Sequence, residues 1–350
     1  MFKKLFGGGG PFRLLINPSK SSLEISKEDS ILSAALEAGY AFPHDCKVGS
    51  CAKCKCKLIE GKIRERVDNA LVLRKEDLQA GYILACQAHP KSDLVVEVDF
   101  LEGELSLPLH ESTGEVVSCI EQTHDIMEVI IRVPDKMEFI AGQYADLKID
   151  AVDAPRSFSF SKAPNKDNAN EISFLIKHVP NGQFTSWLFE EDRAGQKIDI
   201  KGPYGFFHQR EGSGLMLCVA GGSGLAPVLA ILEDAMNNAS TRDVVFLYGA
   251  RTQKDLFKLD EINAIGKSWT GNFDFVPILS EEPKNTDWSG LRGFVTDYLK
   301  ELQTDLDVAQ SYMCGPPPMI DAAEAVLKEK GMNEVSMFAD RFFDRSNVIN

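Results

Sequence analysis

The chain has 350 residues, 44% of them apolar and 26% charged, and its 38 basic and 52 acidic side chains give a net charge of −14. A chain of this length holds two or three domains with sizeable cores, and its ordinary composition excludes a largely disordered or fibrous protein. No apolar run approaches the ~18 residues of a membrane span, and the net negative charge argues against nucleic acid as a partner. The N-terminal MFKKLFGGGG carries two lysines but no apolar core. It is therefore not expected to act as a secretory signal, and a cytoplasmic location is expected. Charge is uneven: 15 basic against 14 acidic residues in 1–102, 10 against 17 in 103–208, and 13 against 21 in 209–350. A near-neutral head on an acidic body points to separate modules.

In the head, residues 13–17 and 22–26 read as short strands around a Pro-Ser-Lys-Ser-Ser turn. Residues 30–39 read as an amphipathic helix, capped by Ser30 and ended by Gly39. The next stretch, 42–58, is FPHDCKVGSCAKCKCKL, in which Cys46, Cys51 and Cys54 stand in the spacing C-x4-C-x2-C; Cys86 follows in LACQAHP. That is the plant-type [2Fe–2S] ligand spacing, in which a tight loop converges three thiolates and a distant cysteine completes the shell. Gly49, Ser50 and Ala52 are small enough to let loop amides reach the sulfurs. Two other readings stand beside it: a zinc site, which prefers paired C-x2-C arms, and inert buried cysteines. Cys56 falls outside the spacing and reads as a strand thiol. Residues 94–100 (LVVEVDF) read as a further strand.

Residues 102–112 contain Pro108 and no helical period, which suits a linker or a strand that changes domain. Alternating or β-branched runs follow at 115–120, 126–133, 144–149, 172–178 and 197–200, separated by Pro, Gly, Asn and Asp. Strands at this spacing predict a small antiparallel barrel. From 215 the rhythm changes. Apolar strands at 215–220, 244–249, 273–279 and 311–314 alternate with helical patterns at 224–237, 255–265, 293–302 and 318–330. This alternation predicts a doubly wound parallel sheet. The expected domains are 1–102, a linker at 103–112, 113–210 and 211–350.

The cysteine spacing, together with FPHDCKVGSC, CVAGGSGLAP, CGPPPMIDAAE and FADRF, resembles the ferredoxin-fused FAD/NAD(P) reductase components of bacterial oxygenases, above all those of the xylene monooxygenase type. The resemblance runs from residue 13 over essentially the whole chain. It implies a plant-type ferredoxin domain of β-grasp fold with Cys46, Cys51, Cys54 and Cys86 as cluster ligands. It also implies an antiparallel FAD-binding β-barrel and a doubly wound NAD-binding domain.

The run Arg156-Ser157-Phe158-Ser159 resembles the R-x-Y-S motif of these reductases. By that resemblance Arg156 neutralises the flavin pyrophosphate, Phe158 packs on the ring system and Ser159 bonds its N5 region. Phe158 stands where the motif has tyrosine, so a hydroxyl contact is lost. Ile176, Lys177 and His178 are expected to flank the flavin. Gly182 and the pair Thr185-Ser186, expected just before a short helix, would offer small residues and free amides to the pyrophosphate. Gly221, Gly222, Ser223 and Gly224, between a strand and a helix, allow the nicotinamide cofactor to approach the backbone, and the motif is neither G-x-G-x-x-G nor a Walker loop. Cys314, followed by Gly315 and Pro316, is expected beside the nicotinamide, where it and Ser159 are the expected catalytic side chains. Arg251 is placed to meet the cofactor's phosphates or ribose, with NADH favoured over NADPH. Phe342, in a terminus where Asp340 replaces the usual glutamate, is expected to cover the flavin.

The resemblance thus implies an electron path from NADH through FAD to the [2Fe–2S] cluster and on to an oxygenase, most of all a membrane-bound diiron hydroxylase. Reductases of Rieske dioxygenases, soluble diiron monooxygenases or deoxysugar dehydrases are the alternatives, and a redox-sensing module without turnover is a reading of another class. The cluster loop carries Lys47, Lys53, Lys55 and Lys57 with no acidic residue from 47 to 58, so either an acidic docking face on the acceptor or a loop that swings against the acidic body of this chain is expected.

Overall fold

Leu14 and Ile16 are fully buried while Arg13 is exposed, so β1 (Phe12–Asn17) turns one face into a core. The strand is the centre of the first of two units in a computed structural model, Met1–Leu109 and His110–Asn350. The structure describes residues 11–18, 21–98, 107–164 and 170–343. The glycine run 7–10, residues 103–106 of the expected linker and residues 344–350 lie outside them.

In the first unit β2 (Ser21–Ile25) is followed by α1 (Ile31–Glu37), whose N-cap Ser30 accepts from the Ser33 N–H in a reciprocal capping box. Then come β3 (Lys55–Glu60), β4 (Ile63–Glu65), α2 (Lys75–Gln79), β5 (Tyr82–Leu84), β6 (Ala88–Pro90) and β7 (Leu94–Glu97). The main sheet has the order β2-β1-β7-β3-β5, with β1 and β7 parallel and the other pairs antiparallel. Ile31, Leu32, Ala34 and Ala35 of α1 pack into its core with Phe42. Of β3 to β6 the sequence reading contains only the strand thiol Cys56 of β3, fully buried between Lys55 and Lys57; β4, β5 and β6 have three residues each, too few for an alternation to show.

The second unit begins with β8 (His110–Thr123), so 110–112 pair as strand with residues 200–202 instead of serving as linker. β9 (Ile126–Arg132), β10 (Tyr144–Lys148), β11 (Arg156–Ser159), β12 (Glu171–Lys177), α3 (Gln183–Glu190) and β13 (Lys197–Tyr204) follow. All pairs are antiparallel in the order β11-β10-β13-β8-β9-β12, and a bridge from Phe160 to Phe174 brings the two edges together. The expected barrel is thus present, filled by Val129, Ile131, Leu147, Phe174 and Ile200.

The remaining elements are β14 (Met216–Gly221), α4 (Leu225–Asn237), β15 (Val244–Ala250), α5 (Leu259–Ser268), β16 (Phe273–Leu279), β17 (Leu291–Arg292), α6 (Val295–Glu301), β18 (Gln310–Gly315), α7 (Pro317–Glu329) and β19 (Met337–Arg341). They form an all-parallel sheet in the order β17-β16-β15-β14-β18-β19. Along β14, Met216, Cys218 and Ala220 join one core cluster while Leu217 and Val219 join the other, so both faces are buried. The first of these clusters also contains Ile126, Ala141, Leu175 and Phe207, which seats the barrel against the parallel sheet. The helix expected at 255–265 begins only at Leu259, because Thr252 and Asp255 cap a separate short turn and Lys258 adopts φ +60°.

Candidate cofactor and electron-transfer sites

The cysteine loop is built from left-handed residues. Lys47 (φ +55°), Gly49 (+80°) and Ala52 (+58°) turn successive peptides inward, a conformation that costs a non-glycine residue about 1–2 kcal/mol. The result is that backbone N–H groups of Val48 and Ser50 face Cys46, and that of Gly49 faces Cys86. The Ser50 N–H lies 3.4 Å from the Cys46 sulfur. The thiols fall into two pairs. A hydrogen bond with the Cys51 thiol holds Cys46 down at about 5 despite burial, and its counterpart drives Cys51 up. In the same way Cys54 bonds Cys86, lowering Cys86 and raising Cys54.

Pairing distinguishes the two metal readings. A single zinc with bonds of about 2.3 Å needs its four sulfurs within roughly 4 Å of one another. Among the described residues no three of these sulfurs lie within 4.8 Å. Two pairs, each able to hold one iron, fit a two-iron cluster and not a zinc tetrahedron. Burial pushes the Cys56 thiol well up, and that of Cys218 to about 12, as expected of packed, unreactive thiols. The lysine rim is thinner than its sequence: Lys55 pairs with Asp77 at 2.9 Å and lies over the Tyr82 ring.

On the barrel, β11 pairs with β10 so that Ser159 faces Tyr144 and Phe158 faces Ala145. Ser157 donates to Asp146 at 2.6 Å, while Arg156 and Phe158 share the other face. Phe158 packs on Phe184 in the first turn of α3, with ring centroids 5.2 Å apart. Phe158 thereby sets its strand face against a helix start that no side chain caps, while the Arg156 guanidinium donates to the carbonyls of Ala154 at 2.8 Å and Pro155 at 3.0 Å. A strand arginine and first-turn amides are the donor chemistry an anionic pyrophosphate takes, so these residues fit a flavin dinucleotide.

Three expected roles change. Thr185 and Ser186 lie inside α3 and not before it, and Gly182 is the N-cap. The Thr185 hydroxyl is turned inward, accepting from the Val179 N–H and donating to the Val179 carbonyl, both at 3.1 Å. It locks the turn, and the turn presents the amides. The Ile176 side chain is buried in the barrel core, because it alternates with exposed Lys177, so only its backbone can border a ligand. His178 rests on the Phe189 ring at 5.0 Å, and Ser159 is buried.

In the parallel sheet the strand order reverses between β14 and β18, where an open α/β sheet forms its ligand crevice. Gly221 to Gly224 end one of these strands, and Cys314, Gly315 and Pro316 end the other. A Cβ on Gly224 would sit 2.4 Å from the Cys314 carbonyl oxygen, and one on Gly221 2.7 Å from the Met319 sulfur. Only glycine allows the two strand ends to approach so closely. Gly222 and Ser223 reach the surface, whereas Cys314 is fully buried. Cys314 belongs to the cluster on which Phe342 packs, and the Phe342 N–H donates to the Gly315 carbonyl at 2.9 Å, so the C-terminal aromatic lies over the strand end where the nicotinamide is expected.

Arg251, at the end of β15, binds Asp255 at 2.6 Å and Asp125 at 3.2 Å beside a cavity of about 380 Å³ that His124, Lys254 and Glu281 help to line. Burial works against the charge of Asp255, but hydrogen bonds from Thr252 and Arg251 outweigh it and hold the carboxyl below its usual range. Neither carboxylate was assigned from sequence; Asp125 lies 126 residues from its partner. Gln87 was likewise overlooked, although it directly follows the fourth cysteine.

Three family models match: "2Fe-2S iron-sulfur cluster binding domain" over residues 14–91, "Oxidoreductase FAD-binding domain" over 113–209 and "Oxidoreductase NAD-binding domain" over 218–325. The chain is 42% identical to the xylene/toluene monooxygenase electron transfer component of Pseudomonas putida, covering 98% of each protein. It belongs to the ferredoxin-fused FAD/NAD(P) reductases. Within that family it is 34% identical to the reductase component of propane 2-monooxygenase from Mycolicibacterium smegmatis, over 94% of this chain and 97% of that one. Among solved structures, a cytochrome P450 reductase from Amycolatopsis superposes with a TM-score of 0.84 at 28% identity, over 95% of this reductase and 98% of that chain. The reductase is thus an oxidoreductase with FAD-, NAD- and [2Fe–2S]-binding domains. No helix among its described residues is long and apolar enough to cross a membrane.

Proposed function

We propose that this reductase oxidises NADH and delivers the electrons, through FAD and a [2Fe–2S] cluster, to an oxygenase component in the cytoplasm. Hydride acceptance and single-electron release are chemistry that the bound cofactors supply. The chain's own residues bind, orient and insulate. Cys46 with Cys51 and Cys54 with Cys86 would each hold one iron, inside a cage of loop amides. Arg156 and the first-turn amides of α3 would hold the flavin pyrophosphate, with Phe158 against the ring system and Ser159 at the strand end. Gly221 to Gly224 with Gly315 and Pro316 would admit the dinucleotide to the crevice, which opens on the sheet face that packs against the barrel.

The observation that carries this reading is the division of the four thiols into two pairs within an amide-lined loop, in a chain whose other domains provide flavin and nicotinamide sites. Arg251, already neutralised by Asp125 and Asp255, supports NADH over a cofactor with a 2′-phosphate. The likeness to the xylene/toluene monooxygenase component favours a membrane-bound diiron hydroxylase as acceptor, with the exposed Lys53 beside Cys54 facing an acidic surface. Purified, cluster-loaded protein is expected to reduce cytochrome c with NADH. A loaded protein that leaves cytochrome c oxidised would rule the reading out, and reconstitution with candidate hydroxylases distinguishes the acceptors.

A further inference from the structure

Gln87 follows the fourth cysteine of the loop, and its backbone is fixed at both ends: its N–H donates to the Leu84 carbonyl at 3.0 Å, and its carbonyl accepts from Arg66 at 3.1 Å. The side chain reaches back across the cysteine loop. Its Nε2 donates to the Lys47 carbonyl, forty residues away, at 3.2 Å and to the Cys86 sulfur at 3.6 Å. A primary amide has two N–H bonds, so both contacts can be made at once. The loop is shaped around this side chain. A Cβ on Gly49 would lie 2.7 Å from the Gln87 Cγ, and Gly49 has φ +80°. Left-handed Lys47 and Gly49 thus accommodate Gln87, and one side chain ties the loop of the first three cysteines to the fourth.

We propose that Gln87 is a positioning residue that raises the reduction potential of the cluster by donating an N–H to the Cys86 sulfur. This rests on the reading that the four cysteines hold a [2Fe–2S] group. Reduction adds an electron whose charge is shared with the sulfurs, so a donor aimed at a ligand sulfur stabilises the reduced form more than the oxidised one. The bond to Lys47 holds the amide in the geometry that does this. With Gln87 in place the electron equilibrium between flavin and cluster lies further toward the cluster.

The test is a potentiometric titration of the full-length holoprotein, followed by the EPR signal of the reduced cluster, for wild type, Gln87→Leu, Gln87→Glu and Gln87→Asn. Leucine removes the donors, glutamate replaces them with acceptors, and asparagine keeps an amide that is one methylene shorter. In Gln87→Leu the electron equilibrium is expected to move three- to tenfold away from the cluster, a midpoint lower by about 30–60 mV at 59 mV per tenfold. Gln87→Glu is expected to fall at least as far, and Gln87→Asn to recover part of the loss. A fully loaded Gln87→Leu with the wild-type midpoint overturns the proposal. Wild type supplies a second reading that needs no substitution: side-chain 15N-labelled glutamine is expected to show a hyperfine coupling to the reduced cluster, and its absence overturns the proposal even if the variants fail to load. A wild-type protein with no iron–sulfur spectrum would instead refute the cluster reading itself.

Discussion

Arg251 decides less by its own charge than by what already surrounds it. A guanidinium free at the end of a second parallel strand would attract a 2′-phosphate, but here Asp255 and Asp125 occupy it. The Thr252 N–H and hydroxyl fix the other Asp255 oxygen, each at 2.9 Å, so the carboxylate cannot swing aside without losing three donors. A phosphate dianion arriving there meets two carboxylates, whereas a ribose diol finds acceptors. Replacing Asp255 with Asn removes one negative charge and weakens the hold on Arg251. The preference for NADH over NADPH, measured as the ratio of kcat/KM values, is expected to fall about tenfold, the equivalent of roughly 1.4 kcal/mol. An unchanged ratio would mean that Arg251 and Asp255 stand away from the adenosine end of the cofactor.

Among the elements, β9 of the barrel and the start of α5 in the parallel-sheet domain are joined by a buried ion pair. Lys258 Nζ lies 2.7 Å from Glu128 and 2.6 Å from Glu261, with the Lys258 and Glu128 side chains only 7% and 5% exposed. The second Glu128 oxygen accepts from Ser173, itself the acceptor of a bond from Ser161. Burial alone would lower Lys258, but the bonds to Glu128 and Glu261 outweigh it and raise the amine above its usual range. The favourable charge state therefore stands through neutral pH and is lost only above the ordinary lysine range. Lys258→Met leaves Glu128 buried without its cation and is expected to cost about 3–5 kcal/mol in denaturant unfolding. The double variant Lys258→Met/Glu128→Gln should be less destabilised than Lys258→Met, because no uncompensated charge remains. A double variant whose loss equals the sum of the losses of Lys258→Met and Glu128→Gln would show that the two residues are not coupled.

That clamp also marks how far the sequence could be read. The barrel and the parallel sheet were visible because residue alternation and strand–helix rhythm are local properties of the chain. The cysteine spacing was equally local. What stayed hidden were contacts between distant residues: Glu128 with Lys258, Asp125 with Arg251, Gln87 with Lys47. Lys258 broke the expected helix because its left-handed backbone, which serves the clamp, follows from no propensity of lysine. β19 was read as a terminal motif, since FADR becomes a strand only by pairing with β18. The core that Cys314 joins was hidden for the same reason, since it includes Ile126, Ala141 and Leu175 of the barrel, far earlier in the chain.

At the scale of the whole molecule, each unit has core clusters of its own among the described residues. One hydrophobic cluster is confined to residues 12–98, and the other three draw only on residues 116–342. Each unit therefore buries its own apolar surface, as independently folding domains do. The charge divides along the same line: residues 103–350 carry 23 basic and 38 acidic side chains, leaving the cysteine-bearing head near neutrality. A chain shortened to residues 107–350 keeps β8 whole and with it every barrel pairing. It is expected to fold, to retain FAD and to reduce ferricyanide with NADH within about threefold of the full-length rate, since both cofactor sites of that step lie in one unit. Cytochrome c reduction is expected to fall at least about tenfold, because single electrons would no longer leave through the cluster. The acidic remainder should attract a basic acceptor more strongly than the full chain does, so a loss of rate cannot be assigned to weaker encounter. A shortened chain that reduces cytochrome c at the full rate would place the exit of electrons at the flavin, and the cysteine head would then need another role.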